Sequence, residues 1–215
     1  MTPRALDHLV VAAASLEQGA AWCEATLGVL PAAGGRHPLM GTHNRLLAIG
    51  SEAFPQAYLE ILAIDPQAPP PGRPRWFGLD DPDLQARLQD GPRLVHWVAR
   101  ASAIDTDRQA LIDLGFAPGD VVKASRGALS WQILLRPDGQ LMSGGALPTL
   151  IQWDGAHPAD ALPASGVQLQ SLALAGMPAP LHAWLAMPAV DGLGADGPTL
   201  RANFATPRGP VNLES

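Results

Sequence analysis

Four polar side chains each stand alone in an otherwise apolar, strand-like segment. His8 lies in LDHLVV, Glu60 in YLEIL, His96 in LVHWV and Gln152 in LIQWD. Two imidazoles, one carboxylate and one amide oxygen suit a divalent metal such as Zn, Ni, Mn, Co or Fe(II). If the fold brings these four strands together, the side chains form one metal centre. Three strong ligands with open coordination positions would make that centre catalytic.

Glu60 is the most unusual of these residues because both faces of its segment, AYLEILAI, are apolar. A carboxylate at such a position must be paired, protonated, bound to a cation or open to water in a cleft. We therefore interpret Glu60 as a metal ligand or as a catalytic base that faces a substrate.

The segment GRHPLMGTHN, residues 35–44, gathers polar side chains that could bind a substrate. Its glycine, proline and asparagine content predicts a loop, which we expect to form a lip over the cleft. An arginine or histidine there could bind an anionic or carbonyl group. Alternatively, the segment is a turn-rich connection whose polar residues satisfy their own backbone. The candidate substrate-binding residues are Arg36, His37, Thr42, His43 and Asn44. His157 could approach the same cleft.

Two halves of the chain show the same order of predicted elements, namely strand, helix, strand, strand, strand. The fold class is therefore α+β, with two paired βαβββ modules that form a curved mixed sheet around a cleft, and a C-terminal extension. The predicted segments are 5–13, 15–28, 29–35, 45–50 and 57–64 in the first half, and 93–101, 103–116, 120–126, 128–137 and 149–155 in the second.

The predicted division of the chain follows from this repeat. The first module spans 1–65, a proline-rich linker with a short helix spans 66–92, and the second module spans 93–158. The extension, 159–215, could be a partial third module. The modules could pair within one chain or be exchanged between two, and a homodimer is among the expected assemblies.

Composition narrows the range of partners. The net charge of −6 and the absence of a basic cluster argue against a nucleic-acid surface, and the single cysteine argues against a disulfide framework. No apolar run approaches the ~18 residues of a membrane span, and the N-terminal segment does not resemble a signal peptide. We expect a cytoplasmic protein whose partner is a small molecule.

LDHLVV followed by a helix, GGRHPLMGTHNRLLAIG leading to YLEILAI, and LIQWDG followed by HP resemble the vicinal oxygen chelate superfamily, and within it the glyoxalase-like domain proteins. The resemblance covers roughly residues 5 to 158. It implies metal ligands on the first and last strands of each module, at the positions of His8, Glu60, His96 and Gln152. Many members carry glutamate at the last position, so Gln152 leaves this set with one carboxylate instead of two.

The favoured hypothesis is a metal-dependent lyase or isomerase, or a dioxygenase, that acts on a small oxygen-chelating substrate. Glu60 or a metal-bound water would then move the proton. The alternative is a metal-free protein of the same fold that sequesters a small hydrophobic molecule. A third hypothesis is a dimerising domain with no small-molecule role, in which Glu60 could be lost without effect on activity.

Overall fold

The structure is a computed structural model that describes residues 4–187, 190–193 and 198–215. In this part of the chain, no helix is long and apolar enough to cross a membrane. The elements are β1 (Ala5–Ala12), α1 (Leu16–Leu27), β2 (Ala32–His37), β3 (Thr42–Ala48), β4 (Tyr58–Ile64), α2 (Pro82–Asp90), β5 (Arg93–Arg100), α3 (Ile104–Asp113), β6 (Asp120–Arg126), β7 (Leu129–Leu135), β8 (Thr149–Trp153), β9 (Gln168–Ala175), α4 (Ala179–Leu185), β10 (Val190–Leu193), β11 (Leu200–Thr206) and β12 (Gly209–Glu214).

The predicted fold class is confirmed. Eight strands form one mixed sheet in the order β2-β3-β4-β1-β5-β8-β7-β6, so both modules have the same internal strand order. The modules pair within one chain, through antiparallel contact between β1 and β5. In each module the first and last strands are parallel neighbours. The four central strands are consequently those that carry His8, Glu60, His96 and Gln152.

Helix α1 shows how the local sequence fixes the packing of a module. The Ser15 side chain caps the helix by accepting a hydrogen bond from the backbone N–H of Gln18. Gly28 ends the helix in the left-handed conformation, with φ 81°. Gly19 faces the sheet, and a Cβ atom there would lie 2.3 Å from Cγ2 of Ile61. The missing side chain therefore lets α1 pack directly on β4.

The eight-stranded sheet has two buried faces with different neighbours. One face, with Leu9 and Ile61, belongs to a large core that includes residues of α1, α3 and the C-terminal strands. The other face, with Val10 and Leu62, contacts a smaller cluster that includes Trp76, Phe77 and residues of α2. Side chains alternate between the faces of a strand, and Glu60 therefore shares the second face with Leu62.

The C-terminal extension forms a second sheet in the order β10-β9-β11-β12. Its element order is again strand, helix, strand, strand, strand. Its strand order differs from that of the modules, because β9 and β10 are directly adjacent and parallel. The extension is therefore not a third copy of the module topology. Its buried residues, among them Leu169 and Phe204, belong to the large core. The domain boundaries and the homodimer stay predictions.

Candidate active site

A small cavity of about 30 Å³ lies on the second face of the sheet, between the two modules. It contains one carboxylate, two imidazoles, one amide and one guanidinium among aromatic and aliphatic side chains. Both modules and the linker contribute to it. The lining residues are His8, His37, Asn44, Tyr58, Glu60, Trp76, Phe77, Arg126, Trp131, Ile133, Ile151 and Trp153.

Glu60 is buried in this cavity, with 6% of its surface exposed. Its Oε1 accepts a hydrogen bond of 2.6 Å from Nδ2 of Asn44. Its Oε2 accepts no hydrogen bond from the residues that the structure describes, and lies 3.6 Å from Nε2 of His8. One carboxylate oxygen is thus held, while the other is available to a proton or a substrate.

The orientation of the Asn44 side-chain amide follows from the groups that donate hydrogen bonds to its oxygen. Its Oδ1 accepts hydrogen bonds from the backbone N–H of Gly35, at 2.9 Å, and from Nη1 of Arg126, at 2.7 Å. The amide NH2 must therefore point toward Glu60. The glycine pair makes room for this arrangement, because a Cβ on Gly34 would lie 2.1 Å from Oδ1 of Asn44, and one on Gly35 would lie 2.4 Å from Cδ of Arg126.

His8 lies between two carboxylates. Its Nδ1 is 2.7 Å from Oδ1 of Asp7, and its Nε2 faces Glu60. The ring stacks on Tyr58, with centroids 4.6 Å apart. Burial raises the pKa of the Tyr58 hydroxyl well above its ordinary value, so this neighbour stays protonated across the neutral range.

Asp7 is a buried carboxylate surrounded by hydrogen-bond donors from several segments. Burial alone would raise its pKa, but hydrogen bonds from His157 and His8 outweigh that effect and hold the pKa well below its usual range. Asp7 is therefore an anion at neutral pH. Its hydrogen-bond partners are His8, Arg100, Trp153 and His157.

His37 is a neutral member of the site. Burial lowers its pKa from 6.5 to about 4, although the nearby charge of Glu60 acts in the opposite direction. Its Nε2 lies 3.4 Å from the amide nitrogen of Asn44, and its Nδ1 lies 3.1 Å from Oγ1 of Thr42. The amide nitrogen is a donor, so Nε2 accepts and Nδ1 carries the proton. Thr42 thus supports His37 from outside the cavity.

Side chains alternate between the two faces of a strand, and the five predicted substrate-binding residues therefore lie on different faces of the sheet. The segment 35–44 differs from the predicted loop, because β2 continues to His37 and β3 begins at Thr42. Arg36 pairs with His43, and His37 pairs with Thr42. The structure therefore places His37, Thr42 and Asn44 on the face of the sheet that carries the cavity, and of these three His37 and Asn44 line it. The Arg36 side chain is 60% exposed and contacts Asp65 and Gln67 instead. His43 lies on the other face of β3.

His96 and Gln152 do not join the group that the sequence predicts. The Nε2 atom of His96 lies 3.1 Å from the backbone N–H of Thr149, which donates to it. Burial lowers the pKa of His96 to about 3, so the ring is neutral. The Oε1 atom of Gln152 accepts a hydrogen bond of 2.8 Å from the backbone N–H of Ile104. Gln152 therefore faces α3, while its neighbours Ile151 and Trp153 line the cavity.

The donor set does not fit the expected metal centre. Among the described residues, no three His, Cys, Asp or Glu side chains are grouped so that they could hold a metal ion. His8 directs Nδ1 to Asp7, His96 directs Nε2 to Thr149, and the last strand presents apolar side chains to the cavity. What the arrangement offers is one carboxylate oxygen beside one imidazole nitrogen.

The sequence patterns did not identify several residues of the site. Asp7 directly precedes a predicted ligand, and a charged residue inside a strand was a usable signal. Arg126 lies in a strand of alternating exposure, with no local signal for a contact across the modules. Trp76 and Phe77 follow the proline-rich linker, where composition predicts a connection only. The expected approach of His157 to the cleft stays a prediction, because His157 does not line the cavity. Its Nε2 lies 3.1 Å from Oδ2 of Asp7.

Comparisons with known proteins agree with this fold. Residues 6–188 match the model of the glyoxalase-like domain family. A comparison with curated proteins gave no match. A hypothetical protein from Staphylococcus aureus superposes with a TM-score of 0.57 at 15% identity, covering 98% of this chain and 86% of that chain.

Two further solved structures are epimerases. Methylmalonyl-CoA epimerase in complex with methylmalonyl-CoA and NH4+ has a TM-score of 0.49 at 17% identity, covering 73% of this chain and 99% of that chain. The methylmalonyl-CoA epimerase from Mycobacterium tuberculosis has a TM-score of 0.43 at 21% identity, covering 73% of this chain and 91% of that chain.

Proposed function

Since the chain belongs to the glyoxalase-like domain family, within the vicinal oxygen chelate superfamily, we propose that it is an acid–base enzyme of the isomerase or lyase class. In this proposal Glu60 removes a proton from a carbon beside a carbonyl group in a small, oxygen-bearing substrate. The expected metal has no place in it, because the donor set does not fit one. The observation that carries the proposal is the buried Glu60 carboxylate with one oxygen held and one available.

The surroundings of Glu60 suit a general base. The Asn44 hydrogen bond, at 2.6 Å, fixes the carboxylate so that Oε2 points toward His8. A positioned base contributes about 10²–10⁴-fold to the rate of a proton transfer. Arg126 also lines the cavity, and its positive charge would offset negative charge that develops on a substrate oxygen.

The size of the cavity implies a step that opens it. A volume of about 30 Å³ accommodates only about one or two water-sized groups. Phe77 lines this cavity and also an open cleft of about 580 Å³ beside α2 and β5. We infer that the Phe77 side chain separates the two, and its backbone is left-handed with φ 59°. A substrate that reaches Glu60 from the cleft must displace this side chain.

One observation favours a second function, the binding of a small hydrophobic molecule without turnover. Aromatic side chains from both modules and the linker line the cavity, among them Trp76, Trp131 and Trp153. Cavities of this composition bind apolar ligands. In that case Glu60 and His37 would orient the ligand through hydrogen bonds, and no bond to hydrogen would break.

The two functions are separated by proton exchange with solvent. The protein is incubated in D2O with a panel of small 2-oxoaldehydes, 2-hydroxyketones and 2-methyl-3-oxoacids, and deuterium incorporation is followed by NMR alongside ligand binding. The comparison uses wild type, Glu60→Gln and Glu214→Gln. Glu214 is a matched control, because it pairs with Arg201 in the second sheet.

Acid–base catalysis predicts deuterium incorporation by wild type and the control, and at least a hundredfold loss in Glu60→Gln. Binding of panel compounds without incorporation would favour the binding protein. If neither binding nor exchange depends on Glu60, both functions are contradicted and the dimerising domain becomes the better hypothesis.

A further inference from the structure

We propose that Asp7 is a positioning residue that holds His8 in a single tautomer, and that His8 is therefore the proton partner of Glu60. This inference rests on the proposed function and adds a second catalytic group to it. The three residues form a chain across the cavity, from Asp7 through the imidazole of His8 to the carboxylate of Glu60.

The first observation is the state of Asp7, which is 0% exposed. Its Oδ2 receives hydrogen bonds from Nε of Arg100 at 3.0 Å, Nε1 of Trp153 at 3.0 Å and Nε2 of His157 at 3.1 Å. These donors lie on β5, on β8 and just beyond β8. A buried carboxylate with such partners remains an anion and has a fixed orientation.

The second observation is the direction of the remaining oxygen of Asp7. Oδ1 lies 2.7 Å from Nδ1 of His8. A carboxylate can only accept hydrogen bonds, so Nδ1 must carry a proton. In the neutral imidazole Nε2 then has the lone pair, and Nε2 is the atom that lies 3.6 Å from Oε2 of Glu60. This tautomer makes His8 able to receive a proton at the atom nearest to Glu60.

The third observation is that the neighbours of His8 hold its ring in place. Tyr58 stacks on it with an interplanar angle of 20°. The two ring nitrogens face Asp7 and Glu60, which lie on β1 and β4. Other charged or titratable side chains also lie near His8 and Glu60, on the elements that pack against them. Among the described residues these are Arg100, Arg126, His37, His96 and His157. His37 and His96 are neutral, for the reasons given above.

These groups close the proton balance, with solvent exchange at His8 as the source of deuterium in D2O. The substrate C–H bond breaks, its proton goes to Oε2 of Glu60, and the electron pair stays on the substrate as an enolate. The new carboxylic acid passes its proton to Nε2 of His8, which restores the Glu60 carboxylate and forms an imidazolium stabilised by the Asp7 anion. The imidazolium exchanges its N–H proton with solvent, so that it carries deuterium in D2O. It then gives one proton or deuteron back to the substrate, at the same carbon for an epimerisation or at its neighbour for an isomerisation.

Nitrogen NMR of the imidazoles tests the tautomer directly. Protein with 15N-labelled histidine is measured at neutral pH, and His8 is assigned by comparison with His8→Gln. We expect a protonated Nδ1 and an unprotonated Nε2 in wild type. A His8 that is protonated at Nε2 and bare at Nδ1 would overturn the proposal, and this measurement needs no folded variant of Asp7.

The variant Asp7→Asn then tests the consequence, because an amide NH2 can donate to Nδ1 and favour the opposite tautomer. We expect a shifted tautomer signal and at least a hundredfold fall in kcat for deuterium exchange, with KM changed less than threefold. Asp154→Asn, at an exposed position just after β8, should match wild type in both measurements.

The outcomes for the two proposals are distinguishable. Exchange that persists in Asp7→Asn at the wild-type rate would overturn the role of Asp7 while leaving Glu60 as the base. An absence of exchange in wild type would remove the catalytic role of His8 together with the proposed function, and the NMR signal would then decide the tautomer alone.

Discussion

Nδ2 of Asn44 lies 2.6 Å from Oε1 of Glu60, and the opposite end of the same amide is held by Arg126 and the backbone of Gly35. This relationship decides which carboxylate oxygen faces the cavity. It also links the first module to the second, because Arg126 belongs to β6. The base of one module is thus oriented through a residue of the other.

Replacing Asn44 by aspartate should disable the base while keeping the size of the side chain. Two carboxylates at hydrogen-bond distance cannot both be ionised, so the pair shares a proton and one pKa rises. We expect deuterium exchange at pH 7 to fall by about 10²-fold, with recovery as pH increases. Asn203→Asp, in the second sheet, is the control, and an unchanged rate in Asn44→Asp would contradict this role.

Gly35→Ala should act on the same network from the backbone. The new Cβ would lie 2.4 Å from Cδ of Arg126, which must move away from Asn44. Displacement of a positioning group by about 1 Å can cost about 10²-fold in rate. We expect a clear loss of exchange with little loss of stability. Gly192→Ala, whose Cβ would have no atom of the described residues within 4 Å, should leave both unchanged.

Phe77 should control access to Glu60, and a pair of variants separates its side chain from its backbone. Phe77→Gly and Phe77→Ala both remove the phenyl ring between the cavity and the cleft, so acrylamide should quench the cavity tryptophans more strongly in both than in wild type. Because φ is 59°, alanine is strained there, and the glycine variant should be about 1 kcal/mol more stable in urea unfolding. Quenching equal to wild type would contradict the gate.

The sequence predicted the fold well for a physical reason. Apolar alternation and capping signals are local, as at Ser15 and Gly28, and a repeated element order constrains strand pairing. The approach of His8 and Glu60 followed from that repeat. The face of the sheet on which an individual side chain lies was harder to predict, because it depends on the register of the strand. Gln152 lies on the opposite face from Ile151 and Trp153, and the sequence does not show which face meets the cavity.

Contacts between segments that are distant in the sequence could not be predicted from local sequence patterns. No feature near Arg126 indicates a contact with Asn44, and none near Asp7 indicates Trp153 or His157. Each of these contacts exists because β1, β5 and β8 are adjacent in the folded sheet, or because β2 and β6 approach each other. Composition likewise marked the linker but did not show that Trp76 and Phe77 would cover the cavity.

The buried histidines should make stability depend on pH. The pKa of His37 falls to about 4 and that of His96 to about 3, both from 6.5. Below pH 6.5 the unfolded chain therefore binds protons that the folded chain does not. Stability is complete above pH 6.5 and falls as pH decreases, by about 1.4 kcal/mol per pH unit for each histidine.

Urea unfolding between pH 7 and pH 5 measures this dependence. His96→Gln should reduce the slope of the unfolding free energy by about one proton, whatever its effect on absolute stability. Gln170→Ala, at an exposed position of β9 that carries no ionisable group, should leave the slope unchanged. A wild-type stability that is flat over this range would show that these imidazoles are not held neutral.

Elemental analysis tests the central claim most directly, since the account assigns Glu60 to proton transfer and not to metal binding. Wild type and Glu60→Ala are purified without a polyhistidine tag or chelator, and their contents of Zn, Ni, Mn, Co and Fe are compared after incubation with each metal. We predict no stoichiometric metal in either protein and deuterium exchange that is unaffected by a chelator. About one metal per wild-type chain, absent from Glu60→Ala, would contradict the account and restore the metal-dependent hypothesis.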